Sequence, residues 1–251
     1  MPRRRADLLV VAQGLAQSRA RAQALILAGS VLEAQGQRID KPGQLLPEDV
    51  ELRLKDKPLK YVSRGGLKLE AALDAFGVDP HGRVCLDVGA STGGFTDCLL
   101  QRGARRVYAA DVGYGQLAWS IRQDPRVVVI ERCNIRNAAA DLLPELPELV
   151  VVDVSFISLR LVLPKILELV STTAVIVALV KPQFEVGREH VGKGGIVRNE
   201  EARRRALADI VETFTALGLD GIRSIESPIH GADGNIEYLI HGRRPERPTP
   251  R

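Results

Sequence analysis

The sequence predicts an α/β protein: a mostly parallel, seven-stranded sheet covered by helices on both faces, preceded by a small α+β unit. Three observations carry this. Five apolar, Val-rich runs between residues 83 and 182 alternate with helical or polar segments. Runs this apolar suit strands buried on both faces. After a long helical stretch, GIRSIESPI and NIEYLIHG are joined by a tight GADGN link, the pattern of a closing antiparallel hairpin. Finally, residues 1–60 hold 11 Lys/Arg against 7 Asp/Glu, while the remaining residues hold 24 of each, so the net charge of +4 is confined to one small segment.

The whole chain bounds the rest. Its 251 residues, 45% hydrophobic and 26% charged, can bury a full core as one large domain or a large and a small one. With 4% aromatic residues, a surface built on stacked rings is not expected. Cys85, Cys98 and Cys133 show no metal-ligand spacing and no even count for a disulfide framework, which suits a reducing cytoplasm. Arg3 to Arg5 followed by LLVVA imitates a signal peptide, but Gln13, Arg19 and Arg21 break the pattern. The longest apolar run, Ala174 to Val180, is too short to span a bilayer, so neither export nor a membrane is expected.

In order, the first unit, 1–60, predicts a helix from about Arg5 to Leu15 and a second from an N-cap at Ser18 to a stop at Gly29. Ala24, Leu25 and Ala28 share one face of that second helix, with Arg19, Arg21 and Gln23 elsewhere. Two strands follow, SVLEAQG and DVELRLK, joined by a polar turn around Lys41, Pro42 and Gly43. This arrangement resembles the αL RNA-binding motif shared by ribosomal protein S-four and many pseudouridine synthases. The resemblance implies RNA contacts by Arg3, Arg4, Arg5, Arg19, Arg21, Arg38 and Lys41. A packing module with a solvated basic face is the alternative.

The second unit, 61–245, opens with a helix over 66–76 and continues through the strands RVCLDVGA, VYAADVG, VVVIE, ELVVVDVSF and AVIVALVKP. A helix from Glu200 to Leu217 leads to the closing hairpin, and residues 246–251 read as a disordered tail. Seven strands with that ending fit a class I methyltransferase fold better than a plain dinucleotide-binding one.

The stretch DVGASTGGFTD, residues 87–97, then sets the choice of ligand. A dinucleotide fingerprint needs Gly-x-Gly-x-x-Gly. Here the aligned positions are Gly89, Ser91 and Gly94, so the middle glycine is missing. Asp87 at the strand end would repel a pyrophosphate but attract an ammonium. S-adenosyl-L-methionine carries an ammonium and a sulfonium and no phosphate, so this loop, with Gly93 and Phe95, suits it. Asp111 after the second strand is placed for ribose hydroxyls, and Asn134 after the third for an adenine edge.

Four more residues stand at strand or helix ends, where ligands gather in such sheets: Lys68, Asp153, Lys181 and Glu237. SRGGLKL, DVGASTGGFTD, AADVGYGQL, DVSFISL, LVKPQFEVG and GNIEYL together resemble the TlyA family, also named hemolysin A, over nearly the whole chain. Those proteins join an αL motif to an FtsJ-like 2′-O-methyltransferase domain. The resemblance implies a Lys-Asp-Lys-Glu catalytic tetrad at those four positions, a cytidine ribose in ribosomal RNA as acceptor, and ribosomal RNA or ribosomal subunits as partners. A ribose 2′-hydroxyl is a weak acid, so attack on a sulfonium methyl needs orientation and proton removal. Lys181 is the expected base, with the two acids holding the lysines. Rival readings are a ribosome assembly factor with a silent methyltransferase domain, a membrane-active hemolysin, and a nicotinamide-dependent oxidoreductase.

Overall fold

A computed structural model describes residues 2–55, 59–231 and 234–245. The chain divides into two compact units, Met1–Leu59 and Lys60–Arg251. The tail expected to be disordered, 246–251, lies outside the described residues.

In the first unit, strand β1 (Arg3–Arg5) leads into helix α1 (Ala6–Ala12), and helix α2 (Arg19–Leu27) follows. Ser18 caps α2 by accepting a hydrogen bond from the Arg21 backbone N–H, as its residue type predicts. Three short strands complete the unit: β2 (Val31–Glu33), β3 (Leu45–Pro47) and β4 (Leu52–Leu54). The two strands expected from the sequence form as β2 and β4, and a second small sheet accompanies them. β2 pairs antiparallel with β4, and β3 pairs antiparallel with β1. The turn at Lys41 to Gly43 therefore leads into β3, a strand the sequence did not announce. The buried face of α2 also differs from expectation. Ala22 and Ile26 are fully buried, whereas Ala24 and Ala28 are exposed. Ile26 carries far more apolar area than either alanine, so its burial sets the helix rotation.

The second unit begins with helix α3 (Gly65–Phe76), which ends at Gly77 in the left-handed conformation (φ 67°). Then come strand β5 (Val84–Val88), helix α4 (Gly94–Gln101), strand β6 (Arg106–Ala110), a short helix α5 (Trp119–Arg122) and strand β7 (Val127–Ile130). Strand β8 (Leu149–Val152), helix α6 (Leu159–Glu168), strand β9 (Val175–Val180), helix α7 (Pro182–Glu185), helix α8 (Glu200–Ala216) and strands β10 (Asp220–Glu226) and β11 (Tyr238–Arg243) complete it.

The seven strands lie in the order β10-β11-β9-β8-β5-β6-β7. β5 to β9 are parallel, while β11 runs antiparallel between β9 and β10. This is the Rossmann-like methyltransferase sheet with its reversed closing strand. Every residue of β5 and β8 is buried, and two apolar clusters cover the faces, one around Leu163, Ile166 and Phe214, the other around Leu69, Leu73 and Leu99. The order reverses between β5 and β8, so the loops after these two strands part and leave a crevice at their carboxyl ends.

Candidate active site

The glycine loop between β5 and α4 borders that crevice. Gly89 has φ 86°, and a Cβ there would lie 2.4 Å from the Asp153 carbonyl oxygen. A Cβ on Gly94 would lie 2.1 Å from Ser63 Oγ, and one on Gly93 (φ 98°) would lie 2.9 Å from a Leu117 methyl. These glycines let the loop press against the end of β8 and the start of α3. They thereby bring the carboxyl ends of β5 and β8 and the helix bearing Lys68 into one place.

Two cavities meet at this loop. One, of about 430 Å³, is lined by Asp111, Asn134 and Ile135 together with Gly89, Ser91 and Phe156. The other, of about 470 Å³, is lined by Arg64, Lys68, Phe95, Asp153 and His230, and shares Gly89 and Ser91. Asp111 accepts hydrogen bonds from Ser91 N (2.8 Å) and Gly113 N (2.6 Å), which fixes its carboxylate at the cavity wall. Asn134 uses its side-chain oxygen to accept from Arg136 N, leaving its amide N–H groups for a ligand.

Asp87 does not stand on a rim. It is fully buried, and its Oδ2 accepts from Thr96 Oγ1 at 2.7 Å. Burial, partly offset by the Thr96 bond, pushes its carboxyl up to about 7. Its Oδ1 is buried with no hydrogen-bond partner. An orphaned carboxylate oxygen beneath the glycine loop fits an approaching ammonium, and it gives a nucleotide phosphate nothing.

The tetrad residues come together as two ion pairs. Lys68 Nζ, from α3, pairs with Glu237 just before β11, and both side chains are nearly inaccessible (11% and 2%). Lys181 Nζ, just after β9, lies 2.6 Å from Asp153 Oδ1 just after β8, and donates to Ser155 Oγ at 2.8 Å. Lys68, Lys181 and Glu237 line one further cavity of about 310 Å³, and Lys68 and Asp153 also face the cavity at the glycine loop. Glu185, four residues after Lys181 at the end of α7, is a buried acid whose carboxylate accepts from Ser158 Oγ and from Leu159 N (2.9 Å) at the start of α6.

Sequence reasoning missed Phe156. It is 91% exposed, has φ 64°, and its ring centroid stands 5.1 Å from that of Phe184. It lines both the Asp111 cavity and the Lys68–Lys181 cavity. A bulky residue held at positive φ and turned outward carries strain that burial does not explain, the pattern of a functional position. The available signal was an aromatic three residues after the strand-end acid Asp153, in a chain with five phenylalanines.

The residues expected to meet RNA are placed less simply. Asp7 is fully buried and receives Arg5 Nε and Nη2 (3.0 Å each), Arg19 Nε (2.9 Å) and Gln23 Nε2 (2.9 Å). The Arg5 guanidinium holds the Asp7 carboxyl well below the usual carboxylate range, with further support from Gln23 and Arg19. Arg38 pairs with Asp40 at 2.8 Å. Arg3, Arg4, Arg21 and Lys41 are exposed.

Comparison with known proteins matches residues 61–244 to the FtsJ-like methyltransferase family. The chain is 51% identical over 238 residues to YqxC of Bacillus subtilis, covering 94% of this chain and 84% of that protein. It is 47% identical to the 16S/23S rRNA (cytidine-2′-O)-methyltransferase TlyA of Mycobacterium tuberculosis, covering 95% and 89%. A solved structure from Streptococcus thermophilus, bearing a provisional hemolysin name, superposes with a TM-score of 0.73 at 45% identity, covering 99% of this chain and 90% of that one.

Proposed function

The chain belongs to the FtsJ-like methyltransferase family, and from that premise we propose that it methylates the 2′-hydroxyl of a cytidine in ribosomal RNA, using Lys68, Asp153, Lys181 and Glu237 as its catalytic residues. The observation that carries this is the pair of lysine–carboxylate contacts at two cavities that share Lys68, one of them bordered by the glycine loop. S-adenosylmethionine supplies an electrophilic methyl group. Asp111 and Asn134 take its nucleoside end, and Asp87 Oδ1 takes its ammonium.

On the acceptor side, Phe156 offers a flat apolar face between the two cavities on which a nucleobase can stack. Lys68, pinned by Glu237, directs positive charge at the ribose oxygen and stabilises the alkoxide character that develops there. Lys181, after releasing one proton to solvent, takes up the 2′-hydroxyl proton as a neutral amine, with Asp153 and Ser155 fixing it in position. Exposed arginines of the first unit bind RNA phosphates nonspecifically, and the 2′-hydroxyl marks the substrate as RNA. This reaction belongs in the cytoplasm, where ribosomal RNA is handled.

The membrane-active reading has no support in the described residues, none of which forms a helix long and apolar enough to cross a membrane. Mapping ribose methylation across the ribosomal RNA of cells with and without this protein tests the proposal. One or more cytidine sites should lose 2′-O-methylation in its absence. An unchanged map would overturn it.

A further inference from the structure

Far from the tetrad, at the opposite end of the sheet, lies a cavity of about 480 Å³. Arg83 at the start of β5, Arg223 in β10, and His241 and Arg243 in β11 line it, over a floor that includes Val175 and Ile222. No carboxylate is among its lining residues. Outside the first sixty residues the chain has no net charge, so three arginines drawn from three strands into one concavity is a local concentration that composition does not supply.

Three of these four side chains are fixed in place. A register shift between Asp220 and Arg223 interrupts the β10–β11 ladder, and Gly221 there has φ 59°. Such a bulge re-aims the side chains beside it. The Arg223 guanidinium donates to the Phe76 carbonyl and stacks over the Phe76 ring at 5.5 Å, leaving its other N–H groups unused by that contact. Arg243 Nε is anchored to Asp220 Oδ1 at 2.6 Å. His241 is buried against the same Phe76 ring, and its Nδ1 lies 3.0 Å from the Gly221 carbonyl oxygen. Nδ1 therefore carries the proton, and Nε2 is the free ring nitrogen. Burial and the neighbouring Arg223 and Arg243 charges lower the His241 pKa, opposed by the Gly221 bond and Asp220.

We propose that this cavity is a second ligand site, separate from the methyl-transfer centre, that binds a phosphate group through Arg83, Arg223 and Arg243. Forked guanidinium donors match phosphate oxygens, and pre-oriented ones lose less entropy on binding. The same chemistry serves a phosphodiester of RNA or a free phosphorylated small molecule. The site does not rest on the methyltransferase reading.

His241 supplies a local reporter, because the chain has four histidines and only this one lines the cavity. The test follows its imidazole resonances by NMR in the full chain during separate titrations with inorganic pyrophosphate and with a short single-stranded RNA. Pyrophosphate should move the His241 signals saturably and raise their pH midpoint, since a bound anion favours the imidazolium. Saturable movement with the RNA as well assigns the phosphate to a polymer backbone; movement with pyrophosphate alone assigns it to a free small anion. Arg83→Gln should weaken the effect by about tenfold, the loss of a charged hydrogen bond. Arg83 makes none of the anchoring contacts described, so this variant spares the fold where Arg223→Gln disturbs Phe76. His241 signals that stay still with both probes, or that respond equally in Arg83→Gln, would overturn the site.

Discussion

The two units use the same chemistry, a carboxylate holding basic side chains, to opposite ends. In the first unit the acid is inside and the bases are out. Asp7 is inaccessible, while Arg5 and Arg19 keep 42% and 55% of their side-chain surface. In the second unit both members of the Lys68–Glu237 pair are inside, at 11% and 2%. An exposed guanidinium on a buried anchor presents charge to a large polyanion without wandering. A buried ammonium on a buried anchor can act only on what enters its cavity. Under the proposed function, burial of the base, more than its identity, separates the proposed docking surface from the proposed reaction centre.

The largest effect is expected at Lys181. Lys181→Arg keeps the charge and the Asp153 contact but cannot surrender its proton in the working range. It should lower the single-turnover rate by about 10²–10⁴-fold, the usual worth of a general base, with donor and RNA binding retained. Substantial activity with a flat pH profile would make Lys181 an electrostatic contact, like Lys68, and would break the comparison at its catalytic end.

Asp87 comes next. Asp87→Asn should weaken S-adenosylmethionine binding by about 1–3 kcal/mol, as for a lost hydrogen bond to a charged group. The Asp87 carboxyl is pushed up to about 7, so wild-type affinity should rise as pH passes upward through that value and the carboxylate forms. The asparagine variant should lack this rise. Calorimetry giving parallel pH profiles for both proteins would remove Asp87 from ammonium binding.

At the docking end, Arg21 is exposed whereas Arg19 is tied to Asp7. Removing Arg21 should reduce the salt slope of RNA binding by about one unit, the expectation for one phosphate contact. Removing Arg19 should do this and also loosen the first unit. Equal stability of the two variants by thermal melting would show that the Asp7 anchor is dispensable.

The smallest effect is acid sensitivity of the first unit. The Asp7 carboxyl sits below the ordinary range in the folded chain, so its stabilisation is complete above the unfolded pKa of about 4 and fades as pH falls below that. Asp7→Asn should remove that fading from the acid limb. An unchanged acid limb would count against the anchor.

The legible and illegible parts of the molecule divide along the same line. Strands β5, β8 and β9 announce themselves because burial on both faces demands near-continuous apolar residues. Asp153 and Lys181 follow from the ends of β8 and β9, which that pattern marks, whereas Lys68 in α3 and Glu237 before β11 are read as their partners from the family resemblance. In the first unit, β1 is the run RRR and β3 is LLP, neither of which reads as a strand, because pairing with each other gives them the geometry. The buried stripe of α2 turns on Ile26 rather than Ala24, a choice made by its neighbours. Phe156 leaves only a faint trace in the sequence because its role depends on a positive φ, and the arginine cavity leaves none because it needs β5, β10 and β11 to bring distant arginines together.

The central claim is that the buried lysine pairs act on a ribose hydroxyl. The direct measurement is nucleoside analysis by mass spectrometry of ribosomal RNA after incubation with S-adenosylmethionine and purified protein. Wild-type protein should yield 2′-O-methylcytidine, and Lys181→Arg should yield none above background. A methyl group on the base instead of the ribose, or equal yields from both proteins, would contradict the account.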